Sequence, residues 1–447
     1  MLKTIEKYIK NKKVLILGFG REGKSTYHMM QKVGGYKSLT IADLNPVTYD
    51  LPENVQILVG EDYQKTLNDY DLIMKSPGIV LERDISTYTC KIASQTELFF
   101  QRFREQIVGI TGTKGKSTTT TLLYHILKEN QKDCILAGNI GIPAFDIAEE
   151  VTENSIVCFE MSSHQLEYMT VSPKWAVLMN IHEEHLDHYG TMEKYVAAKE
   201  KIYQNQQAGD TLICNVDILP KDGACKAKII SAGYEGSGAE LIIYQDFITY
   251  ENRTYHIPTE EIPLIGIHNY YDIGAAYVCA KVFGIGDEGV SQALKTYEPL
   301  PHRLQYIGTV AGVKYYDDSI STICDTTIQA LTSLNDTDTV VIGGMDRGID
   351  YGELIEFLGR HPIPHIILME ATGQRIFQEI QAGYPKFHNR ERLHLVSHLE
   401  EAVNLAKQVT RAGHSCVLSP AAASYGIFKN FEARGEAFAA LVHEQYH

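Results

Sequence analysis

The sequence has no apolar run near the ~20 residues that a membrane-spanning helix requires, so no membrane insertion is expected. Positive charge is also short. Lys plus Arg number 41 against 56 Asp plus Glu, a net charge of −15, which excludes broad electrostatic attraction to nucleic acid or anionic lipid. No CxxC pair and no zinc-ribbon spacing occurs among the eight cysteines (90, 134, 158, 214, 225, 279, 324 and 416). They read as reduced core residues of a cytoplasmic protein. The lysines of "MLKTIEKYIKNKKVLILGFG" precede a short strand without a cleavage site, so that stretch is not expected to be a signal peptide.

What is present is an alternation. Short apolar runs such as "KVLILG", "SLTIAD", "DLIMKS", "QIVGIT", "SIVCFE", "TVVIGG" and "SCVLSP" alternate with helical patterns along most of the 447 residues. That implies an α/β protein with mainly parallel sheets covered on both faces. Between Ala239 and Gly266, "AELIIYQDFITYENRTYHIP" reads instead as antiparallel strands with a turn at Glu251-Asn252. A charged segment at 100–106 and the prolines of "YEPLPH" at 297–302 suggest three domains, 1–104, 105–300 and 301–447.

Each domain carries a stretch that invites chemistry. In the first, Gly18, Gly20 and Gly23 have GxGxxG spacing between a strand and a helix, and Asp43 ends the next strand. This suits a dinucleotide or any nucleotide diphosphate. Arg21 and Lys24 stand beside the turn, and "KSPGI" ends a later strand. In the second, "GITGTKGKSTTTTLLYHIL" (109–127) resembles a phosphate loop with the wrong spacing. The position five residues before Gly115 is Ile110, and the glycines fall at 109 and 112. The context is nevertheless strand, glycine loop, Lys-Ser, helix. Loop N–H groups would meet phosphate, Lys116 its β/γ oxygens, and Ser117 a Mg²⁺ ion.

Glu160 ends a strand in "FEMSSHQLE", where a second Mg²⁺ carboxylate belongs. "NIHEEHLDHYG" is rich in His and acid but is not HExxH, which disfavours a zinc protease. Lys199 lies on the apolar stripe Met192, Tyr195, Val196, Ile202, Tyr203. Burial would favour its neutral amine, or the side chain would snorkel. In the third, "PHR", "YYDDSIST", "IGGMDRGID" and "SPAAASYGIFKNFEARG" mark strand ends and turns.

Taken together, these stretches resemble the Mur ligase family over essentially the whole chain. "GITGTKGKST" is similar to that family's ATP loop, which has the longer spacing, and "EMSSHQLE", "EEHLDHYG…AAK", "HN", "PHR" and "DDS" follow in the family's order. The first-domain turn and "SPAAAS…FKNFEARG" resemble the branch that joins glutamate to UDP-N-acetylmuramoyl-L-alanine in peptidoglycan synthesis. Folylpolyglutamate synthases share the central domain but not the first.

The resemblance implies a Rossmann-like first domain, a central ATPase domain and a Rossmann-like third. It implies an ATP site of Gly112, Thr113, Lys114, Gly115, Lys116, Ser117, Thr118, Asn269, Arg303 and Asp318. Two Mg²⁺ ions would be held by Ser117, Glu160, His185 and a carbamylated Lys199, with Lys116, His185 and Lys199 catalytic. The UDP substrate would meet Gly20, Arg21, Glu22, Asp43, Gly78 and Asn139. Glutamate would meet Thr322, Arg347, Ser424 and Phe431. ATP would convert the L-alanine carboxylate to an acyl phosphate, and the glutamate amine would displace phosphate. The enzyme is expected to be a cytoplasmic monomer that binds no nucleic acid.

One departure bears on the amino acid. Ile320 and Arg347 stand where D-glutamate enzymes of the family commonly have lysine. D-Glutamate is the expected substrate, and L-glutamate, used by a related group, is the alternative. An NAD-dependent oxidoreductase and a non-catalytic nucleotide sensor are the readings from other classes. The first leaves the second-domain loop unexplained. The second leaves Lys116, Glu160, His185 and Lys199 without a purpose.

Overall fold

Three sheets carry the chain in this computed structural model, which describes residues 1–384, 387 and 389–444. The first contains β1 (Lys13–Leu17), β2 (Ser38–Asp43), β3 (Val55–Val59), β4 (Leu72–Lys75) and β5 (Lys91–Ala93), in the order β3-β2-β1-β4-β5, all parallel. The apolar runs are buried on both faces, as a helix-covered parallel sheet requires.

The second sheet has nine strands: β6 (Ile107–Thr111), β7 (Cys134–Gly138), β8 (Ile156–Glu160), β9 (Trp175–Leu178), β10 (Thr211–Asn215), β11 (Lys228–Tyr234), β12 (Leu241–Ile243), β13 (Phe247–Tyr250) and β14 (Arg253–His256). Their order is β14-β13-β12-β11-β10-β9-β6-β8-β7. Only β12-β13-β14 pair antiparallel, with Glu251 and Asn252 at positive φ in the turn. β6 lies between β8 and β9, so the loop after it opens beside the ends of both strands.

The third sheet has β15 (Gln305–Val310), β16 (Val313–Asp317), β17 (Thr337–Gly343), β18 (His365–Met369), β19 (Leu393–Val396) and β20 (Ser415–Leu418), ordered β15-β16-β20-β17-β18-β19. Only β15-β16 is antiparallel.

The chain forms two compact units. One holds Met1–Ile262 and His268–Tyr297, and the other holds Pro263–Ile267 and Glu298–His447. The first two sheets share the first unit, and the expected 104/105 boundary lies inside it. The stretch around 100–106 is not an open linker. The helix Gln95–Phe103 buries Phe99, Phe100 and Phe103, and Phe100 meets Phe159 of β8 edge-to-face with ring centres 5.1 Å apart. Of the charges at 100–106, Arg102 and Glu105 face solvent, while Arg104 pairs with the buried Asp210 carboxylate. Among the described residues, no helix is long and apolar enough to cross a membrane.

Candidate active site

β6 ends at Thr111, and after a loop of four residues the helix Lys116–Glu129 begins. The turn closes on Gly115 at φ +80°, where a side chain's Cβ would lie 2.5 Å from Asp272 Oδ1. Glycine meets both the left-handed backbone and the close approach. The loop is pinned to the segment after β9. Thr113 N donates to Asn180 O at 2.9 Å, Lys114 N to Asn180 Oδ1 at 2.8 Å, and His182 N to Thr113 Oγ1 at 2.9 Å. These bonds absorb the extra residue of the longer spacing.

Lys116 Nζ folds over its own loop and donates to Gly112 O at 2.9 Å and Thr113 O at 2.7 Å. Lys199, on the helix Met192–Gln204, is 1% exposed and donates to Gly112 O at 2.7 Å. Burial first, then the charge of Lys116, pushes the Lys199 ammonium well below its ordinary pKa. The lysine does not snorkel.

Glu160, at the end of β8, is also buried. Its Oε1 accepts from Asn139 Nδ2 at 2.7 Å, while its buried Oε2 has no hydrogen-bond partner among the described residues. A buried carboxylate oxygen without a donor is costly, and a divalent cation is a fitting partner for it. Among the described residues, no three His, Cys, Asp or Glu side chains gather in metal-ligating geometry. A metal here would therefore depend on Ser117, on the Lys199 group and on substrate oxygens as well. Ser117 is buried in the first turn of the helix after the loop. His185 holds a strained φ of +59° and is partly exposed.

Glu184 escaped the sequence analysis as a site residue, although it adjoins His185. Its carboxylate is 3.4 Å from Lys114 Nζ and 3.7 Å from His185 Nε2. Burial pushes its pKa up, but Lys114, Lys116 and His185 outweigh that and hold it below the ordinary range.

In the first sheet, the Asp43 carboxylate accepts from Phe19 N at 2.7 Å and Asn45 N at 2.9 Å. It thereby fastens the glycine turn to the end of β2. The Glu22 side chain is turned inward. It accepts from Gln95 Nε2 at 3.0 Å and Gln165 Nε2 at 2.8 Å, and burial raises its pKa. Gly20, Arg21 and Gly78 are exposed. Arg21 reaches the loop that carries Asn139, where a Cβ on Gly141 would lie 2.7 Å from its guanidinium.

In the second unit, Asp318 follows β16. It accepts from Leu304 N at 3.1 Å and Ser419 Oγ at 2.7 Å, and burial raises its pKa to about 7. Arg303 contributes a smaller opposing effect. Of the four residues expected around glutamate, Arg347 and Thr322 meet directly, with Arg347 Nη2 donating to Thr322 O at 2.9 Å. Ser424 is buried, and Phe431 O accepts from Ser319 Oγ at 2.8 Å.

Arg434 is the residue that joins these segments, and it was missed. Fully buried, it donates to Ser319 Oγ, Ser319 O and Ala422 O at 3.0, 2.8 and 3.0 Å. The sequence gives no sign of this, because Arg434 stands between Glu432 and Glu436 in a helix that reads as carrying ordinary surface charges. Asn269 belongs to the first unit, and Arg303 and Asp318 to the second.

Residues 110–280 match the Mur ligase middle domain. The chain is 33% identical, over 98% of its length and 97% of the relative's, to UDP-N-acetylmuramoylalanine–D-glutamate ligase of Ligilactobacillus salivarius. It is 34% identical to the Enterococcus faecalis enzyme of the same name, over 99% of each. Among solved structures, the MurF ligase of Thermotoga maritima in complex with ADP has a TM-score of 0.61 at 16% identity, covering 99% of this chain and 96% of that one.

Proposed function

The chain belongs to the Mur ligase family, and from that premise we propose that it is an ATP-dependent ligase joining D-glutamate to UDP-N-acetylmuramoyl-L-alanine. The observation that carries this is the meeting of two lysines, Lys116 and Lys199, on one carbonyl of a phosphate loop, beside the buried carboxylate of Glu160 with its unpartnered oxygen. The full-length relatives named D-glutamate ligase support the choice of substrates.

The chemistry follows from the electrophile. A carboxylate resists attack by an amine, so the L-alanine carboxylate first takes the γ-phosphoryl group of ATP. Loop N–H groups and Lys116 hold the phosphates and offset the charge that spreads over the transferring group. Glu160, Ser117, His185 and Lys199 are the residues that would hold Mg²⁺. Bound there, the metal would neutralise phosphate charge and orient its oxygens. Lys199, with its depressed pKa, supplies a neutral amine. That amine adds CO₂ and releases a proton, giving an anionic carbamate beside the Lys116 side chain. The glutamate amine then attacks the acyl phosphate and phosphate leaves. Arg347 and Ser424 hold the glutamate carboxylates, and Asn269 adds to the ATP site. Arg21 and the turn around Gly20 take the UDP group. The functional domains would be 1–104 for the UDP substrate, 105–300 for ATP and 301–447 for glutamate.

The test is phosphate release from ATP with UDP-N-acetylmuramoyl-L-alanine and each glutamate enantiomer. Release dependent on D-glutamate is expected. Release dependent on L-glutamate alone would establish the alternative acceptor, and no release with either would reject the ligase.

A further inference from the structure

Between the ends of β4 and β5 and the segment 164–170 lies a cavity of about 200 Å³, larger than the ~150 Å³ that accommodates benzene in an engineered protein core. Its charged lining is unbalanced. Lys75, only 5% exposed, and Lys91, whose ammonium stands 4.1 Å from the Tyr8 ring centre, are the lining lysines, and Glu97 contributes the single carboxylate among the lining residues. That carboxylate is already satisfied. Oε1 accepts from Gln101 Nε2 at 2.8 Å and Thr170 Oγ1 at 2.6 Å, and Oε2 accepts from Thr170 N at 3.1 Å.

Lys75 has no carboxylate at ion-pair distance among the described residues. Its Nζ donates to the carbonyls of Ser76 at 3.3 Å and Pro77 at 3.1 Å, and stands 5.3 Å from the Tyr168 ring centre. Glu22 and Glu167 act on it only from further away. Glu22 is engaged with Gln95 and Gln165, and Glu167 with His188. Burial lowers Lys75 to about 8, so the ammonium stays charged at neutral pH. A buried cation with only neutral acceptors is under-compensated.

We propose that this cavity is a second binding site, for a small carboxylate with a planar apolar body. The carboxylate meets Lys75 and Lys91, and the body lies against Tyr168, His164 and Ile92. This goes beyond the ligase reading, because none of the residues assigned there to ATP, the UDP substrate or glutamate lines the cavity. The cavity is nonetheless close to the substrate side of the molecule, since Pro77 precedes Gly78. The experiment must therefore separate the two.

Calorimetric titration of the full-length protein with benzoate, and with benzamide as its uncharged counterpart, provides that separation. Saturable benzoate binding is expected, with benzamide at least about tenfold weaker, the equivalent of ~1.4 kcal/mol. Lys75→Met should weaken benzoate by a similar factor, and Lys91→Gln, at an exposed position, carries the same test if the first variant does not fold. Benzoate affinity should be unchanged by saturating UDP-N-acetylmuramoyl-L-alanine and by Lys116→Ala. Absence of saturation, equal affinity for benzamide, or indifference to the lysine substitutions overturns the proposal. Displacement by the nucleotide substrate also overturns it, by making the cavity part of the substrate crevice. Because the readout is binding, none of these outcomes depends on ligase activity.

Discussion

Lys116 and Lys199, 83 residues apart in sequence, donate to the same atom, the carbonyl oxygen of Gly112, at 2.9 and 2.7 Å. Two ammonium groups on one acceptor repel each other, and the buried one gives way. Lys199 is therefore the amine whose proton is weakly held, while Lys116, on the loop, remains the group suited to phosphate.

Lys116→Ala is expected to lower turnover by at least about 10²-fold, the scale of losing one preorganised charge-stabilising group. UDP-substrate affinity should be nearly unchanged, since most of the residues proposed for that ligand lie at the first sheet. Phosphate release and calorimetry measure the two quantities. Near-normal release by the variant would reject the phosphate role.

Lys199→Ala should remove most activity, and a short carboxylic acid such as acetate should restore part of it by standing in for the carbamate. Rigorous removal of CO₂ should slow the wild type and leave the variant unaffected. A variant of normal activity would rule out the carbamate.

Arg347→Ala should raise the glutamate KM strongly and the ATP KM little, because the planar guanidinium is placed on Thr322 at the expected pocket. Ile320→Lys should change the ratio of kcat/KM for the two glutamate enantiomers. An unchanged glutamate KM in Arg347→Ala places the amino-acid pocket elsewhere.

Gly141→Ala should raise the KM for the UDP substrate with a smaller effect on kcat. Its Cβ would fall 2.7 Å from the Arg21 guanidinium, in a backbone at φ +105°. Arg21→Ala should produce the same pattern. If Arg21→Ala leaves that KM unaltered, the guanidinium does not bind the nucleotide.

Asp318 gives a pH dependence of defined sign. Burial raises its pKa to about 7 in the folded protein, against about 3.9 for an unperturbed aspartate. Between those values the unfolded chain has released the proton and the folded one retains it. The Asp318 contribution to stability therefore falls as pH rises from about 4 to about 7, and is level outside that window. Asp318→Asn should flatten this slope in denaturant titrations run across the range. An identical slope in the variant would contradict the assignment.

The sheets were legible because buried parallel strands write themselves as short apolar runs, and the phosphate loop was legible because strand, glycine turn and Lys-Ser are local. The cysteine spacing and the deficit of positive charge were equally open to direct reading. Lys199 could be singled out from its place on an apolar stripe, since helical period is also a local property.

Tertiary structure decided the rest. The segment 100–106 reads as a charged break, yet Phe100 within it and Phe99 beside it bury against Phe159, and side-chain packing between sheets has no local signature. Asp43 and Glu22 look like ligand groups in the turn's sequence. Their oxygens also accept from Phe19 N, Asn45 N, Gln95 and Gln165, because hydrogen-bond partners come from whichever segments the topology brings together. Arg434 joins the Ser319 and Ala422 segments from more than a hundred residues beyond the first of them. Sequence by itself determined which groups this protein has for phosphate and carboxylate chemistry. The fold decided which of them remain available to a ligand, because burial and competing partners are properties of three-dimensional neighbours.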